Sequence, residues 1–417
     1  MIGVYRLPLL LLVTLPVFGS PAFWSPANLP PLAKEGPTLC PGPYLTPEQG
    51  AATLVEAREY FADRTTWETY AAHVRARVQA GAGLSPFPRR TALNPIVGPK
   101  RVHDGYTVEN VAFESVPGYF VCGNLYRPAV PPAGKLPVVL SLHGHGRPIV
   151  TDADFASQGR FTPWMQARCA TLARMGAVVL SIEMVGYGES IDQVTQDVHK
   201  KPFSVTLQAW NATRALDFLL SLDGVDSSRV AVSGESGGGT QTILLTALDP
   251  RVTLSAPVVM VSSYFFGGCP CESGLPIHRS ANHYASNVFI AALAAPRPQL
   301  LVSDGDDWTK HTAESEYPFV RHIYGLMGAG NSVENVHLPA EKHDYGPSKR
   351  GAFYQFISKH FGLGPTGKQS RSLLEDEVTI TVESHQQMRV FTKSHPRPAH
   401  AAATIAEVEK TLRSLQK

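Results

Sequence analysis

The sequence predicts an α/β fold, with a mostly parallel central sheet covered by helices on both faces and an N-terminal helical extension ahead of it. Three observations predict it. From Leu136 onward, short aliphatic and β-branched runs alternate with longer segments of helical period, which is the pattern of parallel strands joined by helical crossovers. Between Tyr106 and Pro128 the period is two, as in an antiparallel hairpin. In "VAVSGESGGGTQT", Val230 to Thr242, an apolar run passes without a linker into a glycine-rich helical start, so a buried strand turns abruptly into a helix.

Composition excludes some functions. A chain of 417 residues, 43% hydrophobic and 17% charged, can bury a large core and carries no bias toward disorder. Opposite charges nearly cancel at a formal +2, so no basic field gathers nucleic acid or an anionic membrane. Neither is expected as a partner.

The elements follow in order. Residues 1–22 read as a signal peptide: Arg6, an apolar run from Leu9 to Phe18, and small residues at Ser20 and Ala22 suit a signal peptidase. That run is about half of the ~20 residues a membrane helix requires. No later segment is apolar for long enough, so the mature chain is expected to be secreted or periplasmic, with no integral membrane span after signal removal. Residues 23–100 form the helical extension. Thr46-Pro-Glu-Gln49 and Thr65-Thr-Trp-Glu68 read as capping boxes that open helices running to about Tyr60 and Ala80.

The catalytic domain is expected over residues 101–364. Its hairpin turns at Val116-Pro117-Gly118. The strands "LPVVLSLHG", "AVVLSIE", "RVAVSG", "TLSAPVVMV", "PQLLVSDG" and "VENVHLP" then alternate with helices near Pro163 to Met175, Ser204 to Leu222, from Ser236, near Tyr317 to Met327, and around Ser348 to Phe361. Residues 365–417 read as a C-terminal extension packed on the domain, strand-like at "EVTITVES" and helical at the end.

The strand-to-helix turn carries the chemistry. In Gly234-Glu-Ser236-Gly-Gly238 the serine is held in a strained conformation at the C-terminal edge of the sheet, and the glycines clear the neighbouring strand and helix. The amide of Gly237, at a helix N-terminus, stands ready to stabilise an oxyanion. A second donor is expected from the loop in "SLHGHGRP": the backbone amide of His145, whose imidazole lines the pocket mouth or packs.

A hydroxyl becomes a nucleophile only when an imidazole takes its proton and a carboxylate orients that imidazole. For a serine placed in this way the order along the chain is serine, acid, histidine. His343, in the loop of "LPAEKHDYGPS", is the candidate base; His337 lies within a strand pattern and His311 directly follows the acid region. The acid is one of Asp304, Asp306 and Asp307 in "LLVSDGDDWTK", most of which would cap the turn or face solvent, or else Glu272 on the preceding loop. The insertion "SYFFGGCPCESGLPIHR" lies where substrate-covering elements are placed, so Phe265, Phe266 and Trp308 are expected to border an acyl pocket.

The five cysteines, Cys40, Cys122, Cys169, Cys269 and Cys271, are too few and too scattered for a disulfide scaffold. An odd count leaves at least one without a partner in the chain, and Cys169, on a helical pattern, reads as buried. The Cys-x-Cys of "GGCPCES" lacks a second Cys/His pair at ligand spacing. No metal and no cofactor are expected.

The motifs "FESVPGYFVCGNLYRP", "SLHGHG", "GYGES", "GESGGGTQT", "VSDGDDWT" and "KHDYGPSKR", in that order, resemble the secreted bacterial α/β-hydrolases related to acetyl xylan esterases and dienelactone hydrolases, over residues 100–362. The resemblance implies an α/β-hydrolase fold and a triad of Ser236, Asp307 and His343, and it lifts Asp307 above its neighbours. Where the family usually has an aspartate after "AVVLSIE", this chain has Glu183, which is read as structural. The resemblance further implies a serine carboxylesterase acting on small acyl esters, often acetyl esters of carbohydrates, without a cofactor. Two alternatives stand beside it. A glucuronoyl esterase would be favoured if Glu272 were the acid. A serine peptidase of related fold would use the same triad but usually adds a large access-restricting domain, for which residues 23–105 are too few.

Overall fold

The computed structural model describes residues 23–32, 42–364 and 370–417, so the expected signal peptide over residues 1–22 and Cys40 lie outside the described residues. Helices α1 (Pro47–Tyr60) and α2 (Arg64–Gly81) come first. The expected capping box opens α1: Thr46 Oγ1 accepts from Gln49 N, and the Gln49 side chain accepts from Thr46 N. The cap of α2 differs from expectation. Asp63, not Thr65, takes the free amide, with its Oδ1 2.9 Å from Thr66 N. A carboxylate is the stronger acceptor at the positive end of a helix, and Thr65 becomes a first-turn residue.

One sheet of ten strands follows: β1 (Ile96–Val97), β2 (Arg101–His103), β3 (Tyr106–Val116), β4 (Tyr119–Pro128), β5 (Leu136–Leu142), β6 (Val178–Ile182), β7 (Val225–Glu235), β8 (Leu254–Val258), β9 (Gln299–Asp304) and β10 (Val333–Leu338). Their order is β10-β9-β8-β7-β5-β6-β4-β3-β1, with β2 beside β3. Strands β5 to β10 run parallel, and the hairpin β3–β4 joins them antiparallel through β6. All the parallel strands therefore end at one edge of the sheet, where a doubly wound fold opens its crevice.

Helices α3 (Pro163–Arg174), α4 (Phe203–Leu220), α5 (Gly237–Leu248), α6 (Tyr317–Leu326) and α7 (Pro347–Phe361) cover this sheet. Along β5, Val138, Leu140 and Leu142 enter one core and Val139 the other, as a period of two requires. The first core also takes α1, α2, α4, α5 and α6; the second takes α3 and α7. With both faces buried, the strands read as continuous apolar runs. Among the described residues no helix is long and apolar enough to cross a membrane.

The C-terminal segment departs from expectation at "EVTITVES". A helix spans Ser370–Glu377, and no strand follows. A strand needs backbone partners, and here side chains have taken that role. Tyr106 Oη bonds both Thr381 O and Thr381 N, and the Gln166 amide bonds both Glu383 N and Glu383 O. Farther on, Phe391 packs against Phe120 and Cys122 on the outer hairpin face, and the last helix, α8 (Ile405–Ser414), buries Val408 and Leu412 in the first core.

The C-terminal arm is held by a buried cation. Arg160, fully buried, donates to Glu183 Oε1 at 2.9 Å, to Asn124 Oδ1 at 2.5 Å and to Met388 O at 2.6 Å, and pairs with Glu189. The Glu189 carboxylate in turn accepts the amides of Val390 and Phe391, each at 2.8 Å. Burial pushes the Glu183 carboxyl up and Arg160 pulls it back, so the pair is stable only as a unit. Arg160→Met leaves two buried carboxylates with no counter-ion and is expected to lower unfolding stability by about 3–5 kcal/mol, read from urea denaturation. A variant as stable as the parent would show that the network does not hold the arm.

Candidate active site

Ser236 stands between β7 and α5 with φ +53° and ψ −120°. A non-glycine residue in that region stores about 1–3 kcal/mol of strain, which the surroundings must hold in place. They do so through the backbone: Ser236 N donates to Val258 O at 3.0 Å, and Thr240 N returns to Ser236 O at 3.0 Å. The flanking glycines are required by contact. A Cβ on Gly234 would lie 2.7 Å from Gly238 C, and one on Gly238 would lie 2.8 Å from His143 O. Gly237 opens α5, so its amide is one of the first-turn donors that no helical carbonyl takes.

Strand β9 ends in the acidic run, and the structure separates its members. Asp304 is buried against Lys349 Nζ at 3.0 Å. Asp306 is exposed. Asp307 reaches His343: its Oδ2 accepts from Nδ1 at 2.5 Å, while Oδ1 takes the Thr309 amide at 2.5 Å and the Thr309 hydroxyl at 2.6 Å. The carboxylate is nearly buried and the imidazole a third exposed. That bond makes Nδ1 the protonated nitrogen and leaves Nε2 to accept a proton. Ser236, Asp307 and His343 thus all lie beyond the C-terminal ends of parallel strands, on the edge where the crevice opens. His337 bonds Ser303 Oγ within β10 and does not face this edge as a base.

Three residues that support the site carry no local sequence signal. Glu235, the variable residue of the glycine motif, accepts Gly144 N at 2.9 Å and Arg168 Nη1 at 3.2 Å, which fixes the 143–146 loop against the elbow. Buried Arg168 also donates to Leu142 O and lies 4.1 Å over the Tyr345 ring. Lys349, buried on α7, bonds Asp304 at the start of the loop of Asp307 and both Lys342 O and Asp344 Oδ1 on either side of His343. One ammonium therefore ties the two loops that carry Asp307 and His343.

The histidines of "HGHG" divide their roles. His143 donates Nδ1–H to Gly144 O and accepts Met184 N on Nε2, so both nitrogens are used, and burial holds its pKa down. His145 lies against Gly237: a Cβ there would be 2.5 Å from its Cε1. Its Nδ1 is 3.5 Å from Glu272 Oε1. Glu272 is therefore set against His145, with burial raising its carboxyl to about 7.

Phe265 and Phe266 open the short strand Phe265–Gly267; neighbouring residues of a strand face opposite ways, and this separates the expected pocket aromatics. Phe265 stacks on Trp308 with centroids 3.9 Å apart, and Trp308 lies 4.7 Å from His343. Phe266 corrects the expectation. It is fully buried, stacked on His278 of the insertion and on Tyr44 ahead of α1. Cys269 and Cys271 are joined as a disulfide, and Cys122 and Cys169 are buried free thiols.

The acetyl xylan esterase family model matches residues 100–265. A methylesterase of known structure is 38% identical, over 89% of this chain and 82% of that one, with a TM-score of 0.77. Glucuronoyl esterases from Solibacter usitatus (20% identical, 72% of this chain and 95% of that one, TM-score 0.55) and Teredinibacter turnerae (16%, 72% and 86%, 0.51) share the fold. The inactive dipeptidyl peptidase 10 of Rattus norvegicus is 22% identical over 192 residues, 45% of this chain, and the match spans 22% of that relative's length.

A carboxylate that orients an imidazole acts through geometry, so its loss falls on turnover rather than on substrate affinity. Asp307→Asn is expected to lower kcat by about 10⁴ with KM nearly unchanged, while Asp306→Asn and Glu272→Gln each cost less than about tenfold in kcat. Steady-state kinetics on an ester decide it. Equal losses in Glu272→Gln and Asp307→Asn would contradict the assignment.

Proposed function

The chain belongs to the α/β-hydrolase esterases related to acetyl xylan esterases, and from that premise we propose that it is an exported serine esterase acting on a small carboxylic ester of a carbohydrate. The observation that carries this reading is the 2.5 Å bond from His343 to Asp307, beyond the strand that follows the elbow's neighbour. His343 Nε2 takes the Ser236 Oγ proton as Oγ attacks the ester carbonyl. The amides of Gly237 and His145 stabilise the oxyanion, and the proton then leaves with the alcohol. Water repeats the sequence on the acyl-enzyme, returning the acid product and the free serine. Phe265 and Trp308 border the acyl side.

Two ester classes fit this chemistry, and they differ in which half of the substrate stays on the serine. With an acetyl ester, as the sequence motifs imply, the sugar hydroxyl leaves and acetate remains bound. With the methyl ester of a sugar carboxylate, methanol leaves and the sugar remains. The second reading is favoured by the 38%-identical methylesterase. Export rests on residues 1–22, and N-terminal sequencing of protein recovered outside the cytoplasm tests it.

Purified protein assayed on nitrophenyl acetate, acetylated xylan, a methyl glucuronate ester and a peptide amide distinguishes these classes. Hydrolysis of one or both carbohydrate esters is expected, with none of the amide. Ser236→Ala is expected to retain its fold and to lose several orders of magnitude in turnover, leaving roughly 10³ over water from the oxyanion hole. An amide preferred over every ester, or undiminished activity in that variant, would overturn the proposal.

A further inference from the structure

We propose that His145, His199, Cys269 and Cys271 form a four-ligand site for one zinc-class divalent ion, filled when the Cys269–Cys271 disulfide is reduced. Sequence spacing conceals the site. Its histidines lie 126 residues from Cys271 and 70 from Cys269, on the loop after β5 and on the turn Gln196–Lys200, so no local Cys/His pattern forms. In space the four ligand atoms all lie within 4.8 Å of one another. His145 Nε2 is 3.0 Å from Cys271 Sγ and 3.3 Å from Cys269 Sγ, and His199 Nε2 is 3.4 Å from Cys269 Sγ.

Each ring has an acceptor behind its outer nitrogen. His199 Nδ1 donates to Val185 O at 2.7 Å, and His145 Nδ1 faces the Glu272 carboxylate at 3.5 Å. The Val185 bond places the His199 proton on Nδ1, the Glu272 carboxylate stands on the Nδ1 side of His145, and both Nε2 atoms are left aimed at the sulfur pair. A backbone carbonyl or a carboxylate behind the imidazole is how proteins orient metal-binding histidines. A disulfide needs neither lone pair. Two imidazoles and two thiolates are the tetrahedral donor set that suits zinc, and hard cations such as magnesium or calcium find no oxygen ligand among these four.

The S–S bond breaks on taking two electrons from a dithiol, which becomes its own disulfide, or from a phosphine, which becomes a phosphine oxide with the oxygen of one water; the two sulfurs take two protons from the dithiol or that water and release them to solvent as they bind the ion as thiolates. The disulfide joins residues two apart and crosslinks nothing distant. The ion would join three segments: the 143–146 loop, the turn at His199 and the insertion that carries Phe265. Because the His145 ring rests on Gly237, the bound ion would fix the loop beside the nucleophile without taking part in the reaction.

The test uses the full chain, reduced with a phosphine and titrated with cobalt chloride, then zinc chloride. One cobalt per chain is expected, with thiolate-to-cobalt charge transfer and the visible bands of tetrahedral cobalt, all displaced by zinc. Zinc should raise the melting temperature of the reduced protein and not of the oxidised one. Cys269→Ser with Cys271→Ser should abolish the charge transfer, and Glu272→Gln should weaken cobalt binding by roughly 10–100-fold while the far-ultraviolet circular dichroism stays unchanged. The proposal is overturned if the reduced chain binds no stoichiometric cobalt, or binds it without charge transfer, or if the double serine variant, folded by the same criterion, binds it equally.

Discussion

The strand-to-helix turn at Ser236 is the constraint on which the rest of the molecule depends. Its positive φ is unfavourable for a serine, and it survives because the chain around it leaves no alternative. Val258 O holds the serine amide from the next strand, and Gly234 and Gly238 allow backbone to approach backbone where any side chain would collide. The cost is borne by a sheet whose strands are buried on both faces, so the turn is anchored in the most ordered part of the fold. Direction does the rest: every parallel strand delivers its loop to the same edge, and the candidate base His343, the candidate acid Asp307 and both candidate oxyanion donors arrive there.

Loops would not stay in that arrangement by themselves. Three buried cations tie them down. Arg168 and Glu235 hold the 143–146 loop to the elbow, Lys349 joins the loop of Asp307 to the loop of His343, and Arg160 fastens the C-terminal arm. Exchanging a buried ion pair for apolar residues is often neutral for stability, whereas removing one partner is costly. The value of these pairs is therefore geometric. Each fixes where a backbone segment lies to within hydrogen-bond distance, which hydrophobic packing alone does less specifically.

Much of this was legible in the sequence because it is local. Hydrophobic period marked the hairpin and the parallel strands, proline and threonine marked the start of α1, and the glycines around Ser236 announced the turn. What was illegible is long-range. Nothing near Glu235 or Lys349 in the chain says what they will bond, and the His145, His199 and cysteine cluster exists only after folding. Two departures share this cause, and the cap of α2 departs for a local one. Phe266 is as aromatic as Phe265 but faces the other side of the same short strand. "EVTITVES" has the composition of a strand, yet Tyr106 and Gln166 satisfy its backbone. Thr65 lost its cap to a nearby carboxylate.

If His343, oriented by Asp307, takes the Ser236 proton, then Ser236 is the residue that becomes acylated, and covalent trapping reads that out. The parent chain, treated with a fluorophosphonate and digested, should yield one modified peptide carrying the label on Ser236, and labelling should be slowed by orders of magnitude in His343→Ala. Labelling at another residue, or at an undiminished rate without the imidazole, would rule out these roles for Ser236 and His343.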